Sequence, residues 1–408
     1  MERTIVTDHR PHRRLQQLRD AGVSIWLDTL SRELLESGRF NDLIRDFAIT
    51  GATSNPAIFA NAITGSNRYD AQLHDLAAAG RHDAKDLFFE LALDDVRAAA
   101  AALRPEYDRT DGRDGFVSFE CTPDLADDAD ATIAQALEVW QRLDLPNVLI
   151  KVPATAAGVG AIEELIARGV NVNVTLLFSV ERYEEVIEAY MRGLERRARA
   201  GRPVDRLTSV ASFFVSRVDS KAAAALDAES PSRGEVAIAN AHVAYGRYLA
   251  RFAGDRWQTL EKRGARPQRP LWASTGTKDP SYSDVLYVER LIAPGVINTM
   301  PEKTLRAYAD HGNVAPAIAD DPAAAEAVLA AATAEGVDLQ AITAELEREG
   351  VKAFCDSYRK LLSCIESKLT EPVPGASAAG PPAFSSRRKV RNRRAASHTG
   401  YGRSLRQP

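Results

Sequence analysis

The sequence has few of the residues that build disulfide frameworks or metal sites. It contains three cysteines among 408 residues, with no CxxC pair, at positions Cys121, Cys355 and Cys364. An odd number of widely separated cysteines is typical of a reducing compartment. The seven histidines are scattered, and no two have the i, i+4 spacing of a helical zinc site. We therefore expect no metal site and no cofactor.

Long apolar runs are also missing. No stretch approaches the roughly 20 consecutive apolar residues that a membrane-spanning helix needs. Residues 1–18 are rich in arginine and histidine and lack the apolar centre of a secretion signal. From these absences we expect a cytoplasmic protein with no membrane partner.

Charge is unevenly distributed along the chain. The net charge is −4, but eight basic residues and no acid occur from Pro372 onward, so residues 1–371 carry −12. An acidic body with a short basic tail does not match the basic surface of a nucleic-acid-binding fold, and we expect no nucleic-acid partner. The basic run 387–394 has two interpretations, an arm for RNA or another anionic surface and an appendage without activity. No aromatic residue interleaves these charges as a stacking platform would, which favours the appendage.

Short apolar segments alternate with amphipathic helical segments through most of the chain. Buried strands joined by helices indicate parallel βαβ units, and eight units in about 300 residues predict an α/β fold, a (β/α)8 TIM barrel. An open doubly wound sheet is the alternative, but its GxGxxG fingerprint after the first strand is absent. The predicted strands are residues 23–28, 49–56, 115–120, 147–155, 170–178, 208–215, 270–274 and 295–300.

We divide the chain into four parts. These are an N-terminal helix at 1–22, the barrel at 23–321, C-terminal helices packing on the barrel at 322–369, and a basic tail at 370–408. The tail lacks the apolar content that offsets ordering entropy, so we expect disorder there. The oligomeric state, monomer or homodimer, stays open. The helices expected between the strands are residues 32–46, 70–103 in two segments, 127–143, 158–168, 180–198, 219–262 and 284–291.

Polar side chains stand at the carboxyl ends of nearly all the predicted strands. In a barrel these ends face one mouth, where the active site is built. Core packing does not need this pattern, because a buried polar atom costs free energy unless it is paired. The candidate site residues are Asp28, Asn55, Glu120, Lys151, Asn173, Thr175, Ser212, Arg217, Ser274 and Lys278.

Lys151 ends the apolar segment NVLIKVPAT and is the central candidate. An apolar site disfavours a charged ammonium and favours the neutral, nucleophilic amine. Such an amine can form a Schiff base with a ketone. The alternative is that Lys151 lies where the strand emerges into water, with its stem packed and its head solvated.

The neighbouring candidates have the groups that imine chemistry requires. Dehydration to the imine needs proton transfers, which Glu120, with Thr175 and an ordered water, is suited to supply. Asp28 is a second acid on a different strand, and two acids in different environments commonly divide roles. The remaining candidates are hydroxyl contacts, Asn55, Asn173 and Ser212, and phosphate contacts, Arg217, Ser274 and Lys278.

The acids and Asn55 also have interpretations without catalysis. Asp28 and Glu120 are equally suited to cap a helix or a loop. Asn55 before Pro56 is typical of turn chemistry. Capping, however, does not explain a lysine between the two acids.

The hydroxyls and the arginine have similar alternatives. Ser212 and Thr175 are candidates for satisfied hydroxyls of the core. Arg217 is close enough in sequence to pair with Asp219 at the surface, a contact that contributes little stability.

Seven segments resemble the transaldolase family, whose members use a Schiff-base lysine in the pentose phosphate pathway. In order they are WLDTLSR, ATSNPAIF, VSFE, LIKVPAT, NVTLLFS, SFFVSR and WASTGTK, and the resemblance covers residues 15–369. Seven motifs in the family's order are far more specific than any one of them. The resemblance implies transfer of a dihydroxyacetone unit from sedoheptulose 7-phosphate or fructose 6-phosphate to glyceraldehyde 3-phosphate or erythrose 4-phosphate.

The resemblance also implies a role for each residue. Lys151 would form the imine, and Asp28 would take the hydroxyl proton as the C3–C4 bond breaks. Many members have an aromatic residue and an arginine after the serine of the seventh strand, whereas this chain continues from Ser274 to Lys278 through Thr-Gly-Thr. Lys278 would replace that arginine as a point charge without bidentate geometry. The other implied roles are a water-holding proton shuttle for Glu120 and Thr175, dihydroxyacetone contacts for Asn55, Asn173 and Ser212, and phosphate binding for Arg217 and Ser274.

Two rival functions stay open. One is an aldolase of the same superfamily that releases free dihydroxyacetone, although a carboxylate at Glu120 favours transfer. The other is a catalytically silent barrel that binds a partner through its basic tail, which would leave the whole set of acid, lysine and phosphate-binding residues without use.

Overall fold

A computed structural model describes residues 11–315, 318 and 322–370. In this part of the chain, eight parallel strands follow one another around a closed barrel, with β8 paired to β1. The predicted (β/α)8 TIM barrel is confirmed. The strands are β1 Ser24–Leu27, β2 Gly51–Thr53, β3 Phe116–Glu120, β4 Val148–Pro153, β5 Val172–Leu177, β6 Ser209–Phe214, β7 Arg269–Ala273 and β8 Ile297–Met300.

Helices alternate with the strands, and apolar side chains of both form the main core. No described helix is both long enough and apolar enough to span a membrane. The helices are α1 Arg13–Asp20, α2 Arg32–Glu36, α3 Arg39–Phe47, α4 Pro56–Thr64, α5 Asp70–Ala78, α6 Ala84–Arg109, α7 Ala129–Leu143, α8 Ala156–Arg168, α9 Val180–Arg199, α10 Ser216–Ala224, α11 Val236–Arg251, α12 Asp255–Glu261, α13 Leu286–Arg290, α14 Glu302–His311, α15 Ala323–Ala334 and α16 Leu339–Thr370, with a 3-10 turn at Pro123–Leu125.

The central strands are buried on both faces. Every residue of β3, β4, β5 and β6 is buried, as expected for parallel strands enclosed by helices. Side-chain caps start the next helix soon after a strand ends. Thr155 accepts a hydrogen bond from the N–H of Gly158 at the start of α8, and Ser179 accepts one from Arg182 at the start of α9. These short links leave the strand ends facing the mouth.

The structure differs from the predicted helices at four places. The segment 219–262 comprises three helices, α10, α11 and α12. The segment 32–46 is two helices, α2 and α3, because the chain turns at Gly38 with φ 79°. Helices α4 and α14 were not predicted. Asn55 and Pro56 were interpreted as the end of a strand, although a proline at the first position after an asparagine cap also begins a helix.

The C-terminal helix α16 packs through one stripe of buried residues. Two contacts bring it to the barrel mouth. Gly350 packs against the side chain of Leu176 at the end of β5, and Tyr358 packs edge-on against Phe88. The prediction of disorder for the tail falls, beyond Thr370, outside the described residues. The buried residues of the stripe are Thr343, Leu346, Gly350, Phe354, Tyr358, Leu361 and Ile365.

Candidate active site

Lys151 lies in β4, and the protein encloses its amine. Only 5% of the residue is exposed. Its Nζ lies 3.3 Å from Oε2 of Glu120 and donates a hydrogen bond of 3.2 Å to the backbone oxygen of Ser54. The alternative in which the head of Lys151 reaches water is therefore wrong.

Glu120 ends β3 directly opposite Lys151 in the parallel register. Burial raises the pKa of its carboxyl to about 6, although the positive charge of Lys151 acts in the opposite direction. No backbone N–H of the described residues donates to this side chain, so Glu120 is not acting as a cap. A carboxyl that titrates close to neutral pH can both accept and donate a proton.

Thr175 lies on β5, two residues after Asn173, whose register partner is Lys151. Its Oγ1 is buried and has no hydrogen-bond partner among the described residues, so it is not a satisfied core hydroxyl. Oε2 of Glu120 likewise accepts no hydrogen bond from them, despite its ion contact with Lys151. Because buried polar atoms are rarely left unpaired, these two atoms are candidates to contact a substrate or a water.

Asn173 and Ser212 form a continuous chain of hydrogen bonds with Ser118. Ser212 Oγ donates to Asn173 Oδ1 at 2.7 Å, and Asn173 Nδ2 donates to Ser118 Oγ at 2.9 Å. All three residues are buried. These hydrogen bonds link residues of β3, β5 and β6, so they fix the orientation of the Asn173 amide. Ser212 is thus a satisfied buried hydroxyl, as its alternative interpretation stated.

Asp28 follows β1 and is partly buried. Its Oδ1 accepts a hydrogen bond of 3.0 Å from Thr53 Oγ1. Burial raises the pKa of the Asp28 carboxyl against the opposing charges of Lys151, Lys278 and Arg217. All three cations are thus close enough to Asp28 to act on its charge.

Helix α2, which follows Asp28, is not capped by it. The side chain that accepts the N-terminal hydrogen bond of α2 belongs to Ser31. Capping therefore does not account for Asp28 at the barrel mouth.

Arg217 lies in the first turn of α10 and is partly buried. Its guanidinium carbon is 5.4 Å from the centre of the Phe214 ring. Asp219 instead accepts a hydrogen bond of 2.7 Å from Tyr287, so the predicted alternative of an Arg217–Asp219 pair is wrong. No carboxylate of the described residues lies within ion-pair distance of Arg217, which leaves its fork available for an anion.

Ser274 follows β7 with φ 57°, an uncommon conformation for a residue other than glycine. Its hydroxyl is 2.9 Å from the hydroxyl of Ser216, whose N–H also donates to the Ser274 carbonyl at 3.1 Å. These bonds hold Ser274 beside the start of α10, next to Arg217. Lys278 is exposed four residues further along, at the rim.

Asn55 has a structural use that its sequence context predicted. Its Oδ1 accepts a hydrogen bond of 2.9 Å from the N–H of Ile58 and caps α4. It also lines a narrow cleft together with Glu120 and Tyr358. Asn55 therefore caps α4 through Oδ1 and also lies beside the cleft that contains Glu120.

Three residues of the site were missed from the sequence. Ser54 contributes a backbone oxygen to Lys151, Thr53 holds Asp28, and Ser118 holds Asn173. Thr53 and Ser54 stand within the segment ATSNPAIF, and Ser118 within VSFE, so the motifs contained them. Which partner each would meet depends on the register between strands, which no single segment encodes.

The arrangement combines an enclosed amine, two acids with raised pKa and a cationic rim. In the part of the chain that the structure describes, no group of three or more His, Cys, Asp or Glu side chains is placed to hold a metal ion. The amine can add to a carbonyl, the acids can move protons, and the cations can hold a phosphate.

Comparison with known proteins identifies relatives of the whole barrel. The family model for transaldolase/fructose-6-phosphate aldolase matches residues 25–365. A transaldolase of Saccharopolyspora erythraea is 48% identical over 361 residues, covering 88% of this chain and 98% of the relative. A transaldolase of Acidothermus cellulolyticus is 49% identical over 360 residues, covering 87% and 96%. One of Mycolicibacterium smegmatis is 47% identical over 361 residues, covering 87% and 97%.

Proposed function

The chain belongs to the transaldolase/fructose-6-phosphate aldolase family, and from this we propose that it is a transaldolase. It transfers a dihydroxyacetone unit from fructose 6-phosphate or sedoheptulose 7-phosphate to erythrose 4-phosphate or glyceraldehyde 3-phosphate. The observation that carries the proposal is the enclosed amine of Lys151, 3.3 Å from the Glu120 carboxylate.

Lys151 is the residue that forms the covalent intermediate. Its amine adds to the ketone carbon of the donor and gives a carbinolamine, which takes up a proton and loses water to become a protonated imine. Both steps need proton transfer at the same place. Glu120 supports this role because burial raises the pKa of its carboxyl to about 6, so it can hold or release a proton near neutrality. The unpartnered hydroxyl of Thr175 would orient the water that passes between them.

Asp28 is the base for carbon–carbon cleavage. As the C3–C4 bond breaks, the electron pair of that bond moves into the protonated imine, which becomes a neutral enamine on Lys151. The proton of the C4 hydroxyl passes to Asp28, and C4 becomes the aldehyde of the departing aldose phosphate. The hydrogen bond from Thr53 orients the carboxylate for this transfer.

The second half of the reaction reverses these steps on a new aldehyde. The enamine carbon attacks the acceptor, and Asp28 returns its proton to the new hydroxyl. Water then hydrolyses the imine, which releases the new ketose phosphate and the Lys151 amine. The water lost at imine formation is regained, so the transfer needs no further reactant.

Substrate binding divides between two sides of the mouth. Arg217, Ser274 and Lys278 hold the phosphate, which is supported by the free guanidinium fork of Arg217 and by the Ser274–Ser216 contact beside it. The dihydroxyacetone hydroxyls contact Asn55, Asn173 and Ser212, of which Asn173 is held in one orientation by its bonded neighbours.

A second candidate is an aldolase that releases free dihydroxyacetone, since the family includes fructose-6-phosphate aldolase. The two activities differ in whether the enamine meets an aldehyde or a proton. The named relatives at about half identity are transaldolases, and Glu120 places a carboxylate beside the imine, so transfer is the better supported activity.

The test is a coupled assay with fructose 6-phosphate and erythrose 4-phosphate, without added metal and with a chelator present. We expect formation of glyceraldehyde 3-phosphate and sedoheptulose 7-phosphate that depends on both substrates. Dihydroxyacetone release from fructose 6-phosphate alone, at a rate equal to the transfer rate, would support the aldolase instead. Absence of both products would contradict the proposal.

A further inference from the structure

Helix α16 passes over the mouth of the barrel close to both sides of the site. Gly350 packs tightly against the end of β5, because a Cβ atom there would lie 2.8 Å from Cδ2 of Leu176. Leu176 follows Thr175 directly and has φ 53° at the irregular end of β5. Two turns later, Tyr358 lines the cleft that contains Glu120. Residues of α16 next to Gly350 therefore lie at the edge of the substrate site.

Glu349 is the acidic residue at this edge. Its carboxylate lies 2.7 Å from Nζ of Lys221, which is on α10 one helical turn after Arg217. Lys221 also contacts Glu345, at 2.9 Å. The two acids thus share one lysine, but Glu349 is one turn nearer to Gly350 and its charge acts on Arg217.

Arg217 has no carboxylate of its own within ion-pair distance among the described residues. An incoming phosphate therefore meets Arg217 in the combined field of Asp28, at the barrel mouth, and of Glu349, which contacts Lys221 one turn further along α10. We propose that Glu349 limits the phosphate affinity of the site, and that its contact with Lys221 keeps the carboxylate from occupying Arg217. This inference rests on the proposed function, in which Arg217 binds the substrate phosphate.

A limited phosphate affinity suits a transferase. In each cycle one aldose phosphate leaves and a different one binds. The same residues, Arg217, Ser274 and Lys278, hold the phosphate of both. Phosphate contacts that are equally strong in every state lower KM but do not raise kcat, and they slow release. Glu349 weakens these shared contacts without touching the reacting carbons.

Glu349→Gln tests the inference, with Glu345→Gln as the matched control on the same lysine. We expect Glu349→Gln to lower KM for fructose 6-phosphate roughly threefold at low ionic strength, because one negative charge near the phosphate is removed. The same variant should tighten competitive inhibition by inorganic phosphate by the same factor, with kcat unchanged. Glu345→Gln should leave both constants at the wild-type values. A higher salt concentration should reduce the difference in KM between Glu349→Gln and the wild type, because salt screens the charge of Glu349.

Lys221→Met gives the opposite change. It frees Glu349 to approach Arg217, so KM should rise, and the double variant Lys221→Met with Glu349→Gln should abolish that rise. Equal effects of Glu349→Gln and Glu345→Gln would overturn the inference, as would an unchanged KM in Glu349→Gln while the wild type turns over. If the wild type shows no turnover, the proposed function fails, and calorimetry with inorganic phosphate still decides whether Glu349 weakens anion binding.

Discussion

The barrel holds a cation at each end, and the two differ in how many hydrogen bonds they make. At the amino end, Arg269 begins β7. Its guanidinium donates to the carbonyls of Gly295, Val296 and Arg113 and to the hydroxyl of Ser24, at 2.7 to 3.1 Å. Four of its five N–H donors join segments of the chain, so we interpret Arg269 as a structural residue.

At the carboxyl end, Lys151 donates to one carbonyl and lies beside one carboxylate. An ammonium has three donors, so part of its capacity is not used by the protein. Nearby, Thr175 Oγ1 has no partner among the described residues. The comparison indicates that a partly buried cation with most of its donors used maintains the fold, whereas a buried one with spare capacity is available for chemistry.

The largest effect should come from Lys151→Met. Without the amine no imine forms, so we expect kcat/KM for transfer to fall by roughly three orders of magnitude or more. At pH 4, where Glu120 with its pKa of about 6 is protonated, the unfolding free energy should stay near the wild-type value, because the variant then leaves no unpaired buried charge. Transfer assays and denaturant unfolding measure the two quantities. Retained turnover would show that Lys151 does not form the covalent intermediate.

Arg269→Met should have the opposite result to Lys151→Met, with lower stability and unchanged activity. The carbonyls at the amino end lose their donors, which should lower the unfolding free energy by about 2–4 kcal/mol while kcat of the folded enzyme is unchanged. The unfolding free energy of Arg269→Lys should lie between those of the wild type and Arg269→Met, because a point charge cannot reproduce the guanidinium fork. An Arg269→Met protein as stable as the wild type would refute the structural interpretation.

Glu120→Gln should change how stability depends on pH. Burial raises the pKa of Glu120 from 4.5 in the unfolded chain to about 6, so between these values the native state binds more protons than the unfolded state. Stability of the wild type should therefore fall relative to the variant as pH rises through this window, by about 1–2 kcal/mol.

Urea unfolding at pH 4 and pH 7 measures this difference. Glu138→Gln, at an exposed position of α7, is the control and should show no such change. A wild type that gains stability relative to Glu120→Gln over the same pH range would contradict the raised pKa.

Thr175→Val should have the smallest effect on stability. Because the hydroxyl has no partner among the described residues, we expect a change within about 0.5 kcal/mol, together with a kcat reduced about tenfold by loss of proton relay. Thr50→Val is the matched control, because the Thr50 hydroxyl donates to Ile25 O at 3.3 Å and its loss should cost about 1 kcal/mol. A larger loss in Thr175→Val than in Thr50→Val would indicate a structural hydroxyl.

The sequence was sufficient for the barrel and for the contact between Lys151 and Glu120. Strand ends are readable because buried parallel strands are continuous apolar runs, and the polar residue that ends each run stands out. Lys151 and Glu120 were found in this way, and the structure places them in contact.

The remaining contacts depend on distances along the chain that no local pattern contains. The carbonyl of Ser54 carries no side-chain signal, and its contact with Lys151 follows from the path of the chain after β2. The approach of α16 to Leu176 depends on a helix that begins more than 150 residues later. Asn55 illustrates a different limit of the sequence. An asparagine before a proline is compatible with both a helix cap and a substrate contact, and the motif alone does not distinguish them.

The transfer mechanism depends most directly on which residue forms the covalent bond to the substrate. Treatment of the enzyme with borohydride in the presence of fructose 6-phosphate, followed by peptide mapping, should locate a single reduced adduct on Lys151 and none on the Lys151→Met variant. An adduct on another lysine, or equal labelling of the Lys151→Met variant, would contradict it.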